Sequence, residues 1–527
     1  MSRAAIYARN IFANYVGFIA NVVVAFFLTP YIVHSLGDTR YGIWSLLVSL
    51  AGYFGVVDIG VRGSLGRFVN YYLGKDSVED VNEILSTAVA FFCLCGLGIL
   101  AVSGGFSLFL GGIFPKIEPE FLPQARVAIL LIGLNMWIGF LAAFPPVILR
   151  SQDRFDLVNG VELLGLAVRT GLTVWVLWSN WGLIALGLVQ IAMTTVQLIV
   201  GHILAKWSFP ELRIRFRLAG LSRFGELMSF SFFAFLCNAS NQLMLLADVL
   251  LITWFLGPKH VAYYSVALIL VRYGQKILGM TGGVIIPEIT KQCGREDFQE
   301  LRWLFIRGSN LRASLGIGIW VGILAFGREF MNQWMGPDYD ASYWVMAVLS
   351  AWMLTLLVNE MIGPIGSGLG KIRYFAALSL VRLAANVSLT VLFLLTGYGL
   401  VGVAMGTAIS SVPVAIVNLI VGSRWFGLSV RKYLRESVSR WVVLGGSFGA
   451  VSCIIRLGLP SGNWGWLFLK SALAVFLYIP MVWFLLLAHP DRDRISMKIR
   501  KMMHVWAHVG LVRSENGEDD EGKDMPC

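Results

Sequence analysis

Long apolar stretches recur about fourteen times along the chain, separated by short polar loops. A lipid bilayer imposes such a pattern, because its hydrocarbon core accepts helices of roughly 20 apolar residues and satisfies no free backbone group. The pattern therefore predicts an all-α polytopic membrane protein. The predicted spans are 11–34, 42–66, 84–111, 126–149, 157–179, 181–206, 226–256, 260–287, 308–333, 341–366, 373–396, 399–424, 441–459 and 464–488.

Basic residues are concentrated in every second loop. Five lie at the end of the sixth span and in the loop after it (Lys206, Arg213, Arg215, Arg217 and Arg223), and five at the end of the twelfth span and in the loop after it (Arg424, Arg431, Lys432, Arg435 and Arg440). The alternate loops hold only Arg40, Lys116, Arg126 and Lys259. Loops rich in lysine and arginine stay in the cytoplasm. Both termini are therefore predicted to be cytoplasmic, in agreement with an even number of spans.

The composition agrees with a membrane protein. Hydrophobic residues make up 57% of the chain and charged residues 14%, against about 25% charged residues in soluble domains. A net charge of +11 would suggest nucleic-acid binding in a soluble protein. Here membrane topology accounts for the basic loops, so no nucleic-acid partner is predicted.

Several kinds of chemistry have no signature in the sequence. No Gly-rich phosphate-binding loop precedes a lysine, which argues against an ATPase. Six His residues without a Cys/His cluster argue against a metal site. We therefore predict no cofactor and no enzymatic activity, with energy supplied by an ion gradient, the membrane potential or the substrate gradient.

The chain matches itself at two nearly equal displacements. Both displacements equal six spans, so the halves keep the same orientation, as in parallel repeats that place a substrate site between them. At 220 residues, Asn21 falls on Asn241 and Leu36-Gly37 on Leu256-Gly257; at 217 residues, Trp181-Gly182-Leu183 falls on Tyr398-Gly399-Leu400.

The repeat predicts four parts. An N-lobe covers 1–224, with helices 1–6 and the loop that follows them, and a C-lobe covers 225–440, with helices 7–12. Two extra helices occupy 441–488. The remainder, 489–527, is predicted to be a basic amphipathic stretch on the cytoplasmic leaflet and a disordered acidic tail.

A series of short motifs in the first two spans carries a family resemblance. They are Arg9-Asn10, Asn14-Tyr15, Pro30, Leu36-Gly37, Tyr41-Gly42-Ile43-Trp44, Gly52-Tyr53-Phe54 and Asp58-Ile59-Gly60. These motifs resemble the opening of bacterial polysaccharide-exporter flippases, which belong to the multidrug/oligosaccharidyl-lipid/polysaccharide exporter superfamily.

The resemblance implies a V-shaped pair of six-helix lobes with alternating access in the bacterial inner membrane. The implied cargo is an oligosaccharide on polyprenyl (undecaprenyl) diphosphate, such as an O-antigen or exopolysaccharide repeat unit, moved from the cytoplasmic to the outer leaflet. Membrane lipids and a polysaccharide polymerase are the implied partners.

Two other functions stay open. A cation-coupled multidrug antiporter of the same superfamily would usually keep an acidic residue on the first helix, where this chain has only Asn. A membrane polysaccharide polymerase or glycosyltransferase would usually need a large catalytic loop, and the longest loops here have about twenty residues.

Four basic residues at mid-span depth are candidates for binding the diphosphate: Arg169, Arg272, Lys276 and Arg382. Charges inside a bilayer are costly, and guanidinium pairs with phosphate oxygens through two parallel hydrogen bonds. Arg272 and Lys276 share a helical face, where like charges repel unless an anion or water lies between them. Alternatively, Arg169 and Arg382 tie neighbouring helices together.

The family resemblance adds two correspondences. By span and depth, Arg272 matches a diphosphate-binding arginine on helix eight of the related lipid-linked flippases, and Arg62 matches another cavity arginine. The first span has no arginine at depth, unlike the flippases of peptidoglycan precursors.

Amides line the lead helix of each half: Asn14 and Asn21 on the first, Asn238 and Asn241 on the seventh. They are predicted either to hydrogen-bond sugar hydroxyls or to join helices, at about 0.6 kcal/mol each.

Three deep carboxylates are candidates for binding a coupling proton or cation: Asp58, Asp248 and Glu360. Asp58 can also form an ion pair with Arg62. Arg312 and Lys470 lie near span ends and are predicted to be boundary residues.

Overall fold

The computed structural model describes residues 3–220, 222–225 and 232–486. Within its helices, the side chains of 3–15, 54, 56–64, 232, 234 and 283–284 are outside the description. The predicted amphipathic stretch and acidic tail of 489–527 lie outside the described residues.

Helices form all the regular secondary structure of the described residues, which confirms the all-α membrane fold. Short 3₁₀ segments occur at Phe216–Leu218 and Pro337–Tyr339, and π-helical turns at Leu434–Val438 and Val482–Leu486. The α-helices are α1 Arg3–Leu36, α2 Asp38–Leu73, α3 Val78–Ile113, α4 Leu122–Ala142, α5 Phe144–Ser151, α6 Phe155–Trp178, α7 Gly182–Ser208, α8 Phe232–Phe255, α9 Pro258–Met280, α10 Gly282–Gly294, α11 Phe298–Trp334, α12 Asp340–Gly368, α13 Ile372–Leu395, α14 Gly399–Trp425, α15 Val430–Tyr433, α16 Ser439–Gly458 and α17 Trp464–Met481.

Each predicted span coincides with helical structure, but the helices differ in apolarity. In the described part, twelve spans are long and apolar enough to cross a membrane. The second and eighth predicted spans, in α2 and α9, are absent from that set. These two helices carry several of the charged candidates, and they pack against each other.

Two predicted spans are broken helices. The fourth is divided between α4 and α5 at Ala143, just before Pro145 and Pro146, which lack the N–H that continues a helix. The eighth is divided between α9 and α10 at Thr281.

The helices pack as two groups. Helices α1–α7 form the first group and α8–α14 the second, while α16 and α17 pack against α11. The groups meet where α2 packs against α8 and α9. At Gly42 a Cβ atom would lie 1.8 Å from the carbonyl oxygen of Pro258, so only glycine permits this approach of the backbones.

The two ends of the bundle differ. We call the end with loops 74–77, 152–154, 209–220, 295–297, 369–371 and 426–429 the basic end, and the other the opposite end. The largest buried core joins both groups and includes Tyr41, Val261 and Trp334 near the opposite end. Toward the basic end each group has its own core. The groups are therefore joined mainly at the opposite end.

Side-chain hydrogen bonds between the groups follow the same distribution. At the opposite end, Tyr263 and Tyr339 both donate to Asp38. Trp334 donates to the Phe26 carbonyl and Lys116 to the Phe255 carbonyl. His34 is hydrogen-bonded to the Met335 carbonyl. A long contact of 3.5 Å, from Tyr273 to the Asn21 carbonyl, lies at mid-depth.

Candidate substrate site

A cavity of about 600 Å³ lies between the two helix groups, extending from the middle of the bundle toward the opposite end, and we call it the central cavity. Arg272 of α9 lines it together with the polar side chains of Asn135, Gln190 and Gln242. Arg272 is half-buried, and in the described part no carboxylate lies within ion-pair distance of it. Its charge is therefore available to an anion in this cavity.

A larger cavity of about 870 Å³ lies within the second group, and we call it the amide cavity. Its walls come from α8, α9, α12, α13 and α14. Six amide side chains line it: Asn238, Asn241, Gln242, Gln275, Asn359 and Asn418. Amides both donate and accept hydrogen bonds, so this cavity suits a ligand rich in hydroxyl groups.

Arg382 lies in the wall of the amide cavity and is 7% exposed. Its guanidinium donates a hydrogen bond to the side-chain oxygen of Asn241. No described carboxylate forms an ion pair with Arg382. A buried guanidinium usually has an anionic partner, so this cavity retains a net attraction for anionic oxygens.

The predicted basic residues are divided between sites rather than gathered in one hollow. Arg272 and Arg382 line adjoining cavities that share Gln242 and Leu245. Lys276 is exposed, with its ammonium 5.6 Å from the ring centre of Tyr273. Lys276 and the half-buried Arg169 of α6 line neither cavity.

The predicted amides also differ in placement. Asn238 and Asn241 are exposed in the amide cavity. Asn21 donates a hydrogen bond of 2.9 Å to the Gly17 carbonyl of its own helix. The side chains of Asn14, Asp58 and Arg62 lie outside the described residues.

Asp248 of α8 is fully buried in a network of neutral groups. It accepts hydrogen bonds from Tyr264 at 2.7 Å, Thr407 at 2.8 Å and Thr390 at 3.5 Å. Asn386 donates to Thr407 at 2.9 Å and extends the network. In the described part no cationic side chain forms an ion pair with Asp248.

Glu360 lies in the wall of the amide cavity but is paired. It accepts a hydrogen bond from Arg312, which is 2% exposed. Arg312, which is predicted to be a boundary residue, is therefore buried in an ion pair, and so is Lys470. Lys470 is fully buried and donates to Glu329 and Ser461, each at 2.8 Å. Both pairs join residues far apart in sequence, which helix position alone does not indicate.

Sequence reasoning missed much of the amide cavity. Gln242, Gln275, Asn359 and Asn418 line it, and Asn418 donates to Asn359 at 2.8 Å. Each is an uncharged polar residue inside an apolar span, a signal that was present but weaker than that of the charged residues. Across the described residues, no group of three or more His, Cys, Asp or Glu side chains could hold a metal ion.

The chain is similar in sequence to two bacterial membrane proteins. EpsK, an uncharacterized membrane protein of Bacillus subtilis (strain 168), is 20% identical over 508 residues, which is 93% of this chain and 98% of that protein. A putative O-antigen transporter of Shigella flexneri is 21% identical over 417 residues, which is 76% of this chain and 94% of that protein.

Solved structures share the fold. The lipid II flippase MurJ in an inward closed conformation aligns with a TM-score of 0.67 and 13% identity, covering 90% of this chain and 98% of that one. An inward-facing multidrug resistance MATE family transporter aligns with a TM-score of 0.63 and 14% identity, covering 79% and 96%.

The N-terminal half of the chain and part of the second half match a known family. Residues 7–292, more than half of the chain, match the family described as polysaccharide biosynthesis protein. The sequence motifs, the two helix groups and the structural neighbours agree with this match. The chain is therefore a multi-pass membrane protein of the polysaccharide biosynthesis protein family.

Proposed function

We propose that this protein is a flippase that moves an oligosaccharide linked to polyprenyl diphosphate from the cytoplasmic to the outer leaflet of the bacterial inner membrane. The observation that carries the proposal is the pair of polar cavities that adjoin near the middle of the bundle. Each contains an arginine without a described carboxylate partner. Such cavities suit a cargo with both an anionic head group and hydroxyl-rich sugars.

The related proteins support the same class of cargo. The Shigella flexneri relative is named as a putative O-antigen transporter, and MurJ is named as a lipid II flippase. The family match is to polysaccharide biosynthesis. We assign the basic end to the cytoplasm, because lysine and arginine are retained on that side, and both termini with it.

The diphosphate is assigned to the central cavity. Arg272 is the primary contact, and Lys276 lies one helical turn away on the same helix. Arg382 borders the adjoining cavity and is a candidate for contacting the anion at a different step of transport. Arg169 and Arg62 remain candidates for other steps along the path.

The coupling site is assigned to Asp248. A fully buried carboxylate surrounded by hydroxyl groups can hold a proton or a small cation without an ion-pair partner. Glu360 is a weaker candidate because Arg312 already neutralises it.

The test is to delete the gene and locate the lipid-linked glycan. Accumulation on the cytoplasmic leaflet, reversed by the intact gene, is the expected result. Loss of chain lengthening with normal display on the outer leaflet would instead identify a polymerase. Drug resistance on overexpression, with normal glycan export in the deletion strain, would identify an antiporter.

A further inference from the structure

We infer that the amide cavity is a carbohydrate subsite distinct from the diphosphate site, so that the sugar next to the diphosphate is bound by Asn359, Asn418, Gln275 and Trp352. This inference rests on the proposed function and adds that two parts of the cargo are bound at two separate sites. The anionic group occupies the central cavity at Arg272, and sugar hydroxyls are recognised within the second helix group.

The chemistry of the amide-cavity wall favours a carbohydrate. Of the side chains that line the amide cavity, the charged ones are Arg382 and Glu360, and Glu360 is already paired with Arg312. The other polar groups are amides, two serines, the Trp352 indole and the Cys237 thiol. A site for an anion alone needs cationic groups, whereas sugar hydroxyls need paired donors and acceptors, which amides supply.

Three buried polar atoms beside the amide cavity have no hydrogen-bond partner in the described part of the chain. Gln275 Nε2, Trp352 Nε1 and Asn418 Oδ1 are buried without a hydrogen-bond partner in the described structure. Trp352 is 6% exposed and Asn418 4% exposed. Buried polar atoms are nearly always satisfied, and each exception needs an explanation. Two donors and one acceptor around one cavity match a hydroxyl-bearing ligand.

The position of the amide cavity also suits a sugar that is linked to a diphosphate. The amide cavity adjoins the central cavity through the shared side chains of Gln242 and Leu245. A sugar covalently linked to a diphosphate must lie beside it, so adjacent cavities are required by the connectivity of the cargo. A volume of about 870 Å³ is also within the usual range of ligand pockets, roughly 300–1,000 Å³.

The cavity can be filled without disturbing its walls. Gly363 of α12 lines it, and a Cβ atom added there meets no heavy atom within 4 Å. Gly363→Leu therefore places a branched side chain in the cavity. Because Pro364 follows, any side chain at position 363 clashes with the proline ring and raises the energy of the helical backbone. Gly363→Ala has the same clash but adds little volume, so it is the matched control.

The experiment measures binding of two lipids to the full chain in nanodiscs. One lipid is undecaprenyl diphosphate carrying the native repeat unit, and the other is undecaprenyl diphosphate without sugar. We expect Gly363→Leu to weaken binding of the glycan-bearing lipid at least tenfold relative to Gly363→Ala. Binding of the sugar-free lipid should be unchanged, which also shows that the variant is folded.

A second variant tests the amides themselves. Asn359→Leu with Asn418→Leu removes the hydrogen-bonded pair together, so neither amide is left without the other. The same selective loss of glycan binding is expected. Thr355→Val, one turn before Asn359 and outside the cavity wall, is the control.

Three results would count against these ideas. Equal binding of the glycan-bearing lipid by Gly363→Leu and Gly363→Ala would overturn the subsite. Equal loss of both lipids in Gly363→Leu and in the double variant would place the diphosphate, not the sugar, in the amide cavity. Failure of the unmodified protein to bind either lipid would instead overturn the proposed function.

Discussion

The hydroxyl group of Tyr339 lies 2.6 Å from Oδ1 of Asp38, although 301 residues separate them. Tyr263 donates to the other oxygen of the same carboxylate at 3.1 Å. Asp38 begins α2 in the first helix group, and both tyrosines belong to the second. One carboxylate therefore connects the two groups at the opposite end, where they must separate if the cargo is to leave on that side.

Replacing Asp38 with alanine should favour the state that is open at the opposite end. A hydrogen bond to a charged group contributes about 1.5–3 kcal/mol, so losing two should shift the equilibrium tenfold or more. The measurement is maleimide labelling of Val261→Cys, fully buried in the closed arrangement, in a chain lacking other cysteines. Asp340→Ala is the control, because Asp340 pairs with Arg328 inside the second group. Equal labelling in the Asp38→Ala and Asp340→Ala variants would contradict a role for Asp38 in holding the two helix groups together.

Arg272→Ala should abolish glycan export while protein levels stay normal. Arg272→Lys keeps the charge but loses the two parallel hydrogen bonds to phosphate, so export should fall to an intermediate level. The measurement is surface glycan per unit of membrane protein. Arg150→Ala removes an arginine from a half-exposed pair with Glu162 at the basic end and should export normally. Full export by Arg272→Ala would exclude this residue from the mechanism.

Asp248→Asn should uncouple transport from the ion gradient. The amide keeps the shape of the carboxylate but cannot carry the charge that balances a proton or cation. In proteoliposomes, imposed proton and sodium gradients should accelerate flipping by the unmodified protein and by Asp340→Asn, which changes an exposed surface pair. If Asp248→Asn responds to both gradients as strongly as the unmodified protein, the coupling site lies elsewhere.

Breaking the buried pair of Lys470 and Glu329 should destabilise the packing of α17 on α11. Lys470 is fully buried and the Glu329 side chain is 15% exposed. Removing one partner leaves an uncompensated charge, which costs about 3–5 kcal/mol, whereas replacing both partners costs much less. Thermal unfolding in detergent should therefore show a lower midpoint for Glu329→Leu than for Glu329→Leu with Lys470→Leu. The reverse order would contradict this account.

Much of the fold was predictable from the sequence. The bilayer requires every backbone group to be satisfied within its own helix, so local apolar length predicted the helices without knowledge of their neighbours. Gly42 lies in a motif of the second span, and its close contact with Pro258 explains why glycine is needed there.

The arrangement of the candidate site was not predictable, because it depends on distant partners. Arg312 and Lys470 were assigned to the boundary, but Glu360 and Glu329 make them buried pairs. Asp248 receives its hydrogen bonds from residues 16, 142 and 159 positions away. The pattern of apolar residues predicts which segments span the membrane, and the pattern of basic residues predicts their direction, because both depend on the surrounding solvent and lipid. Contacts between separate helices specify which polar groups are neutralised and which still face a cavity, and these contacts exist only after the helices have packed.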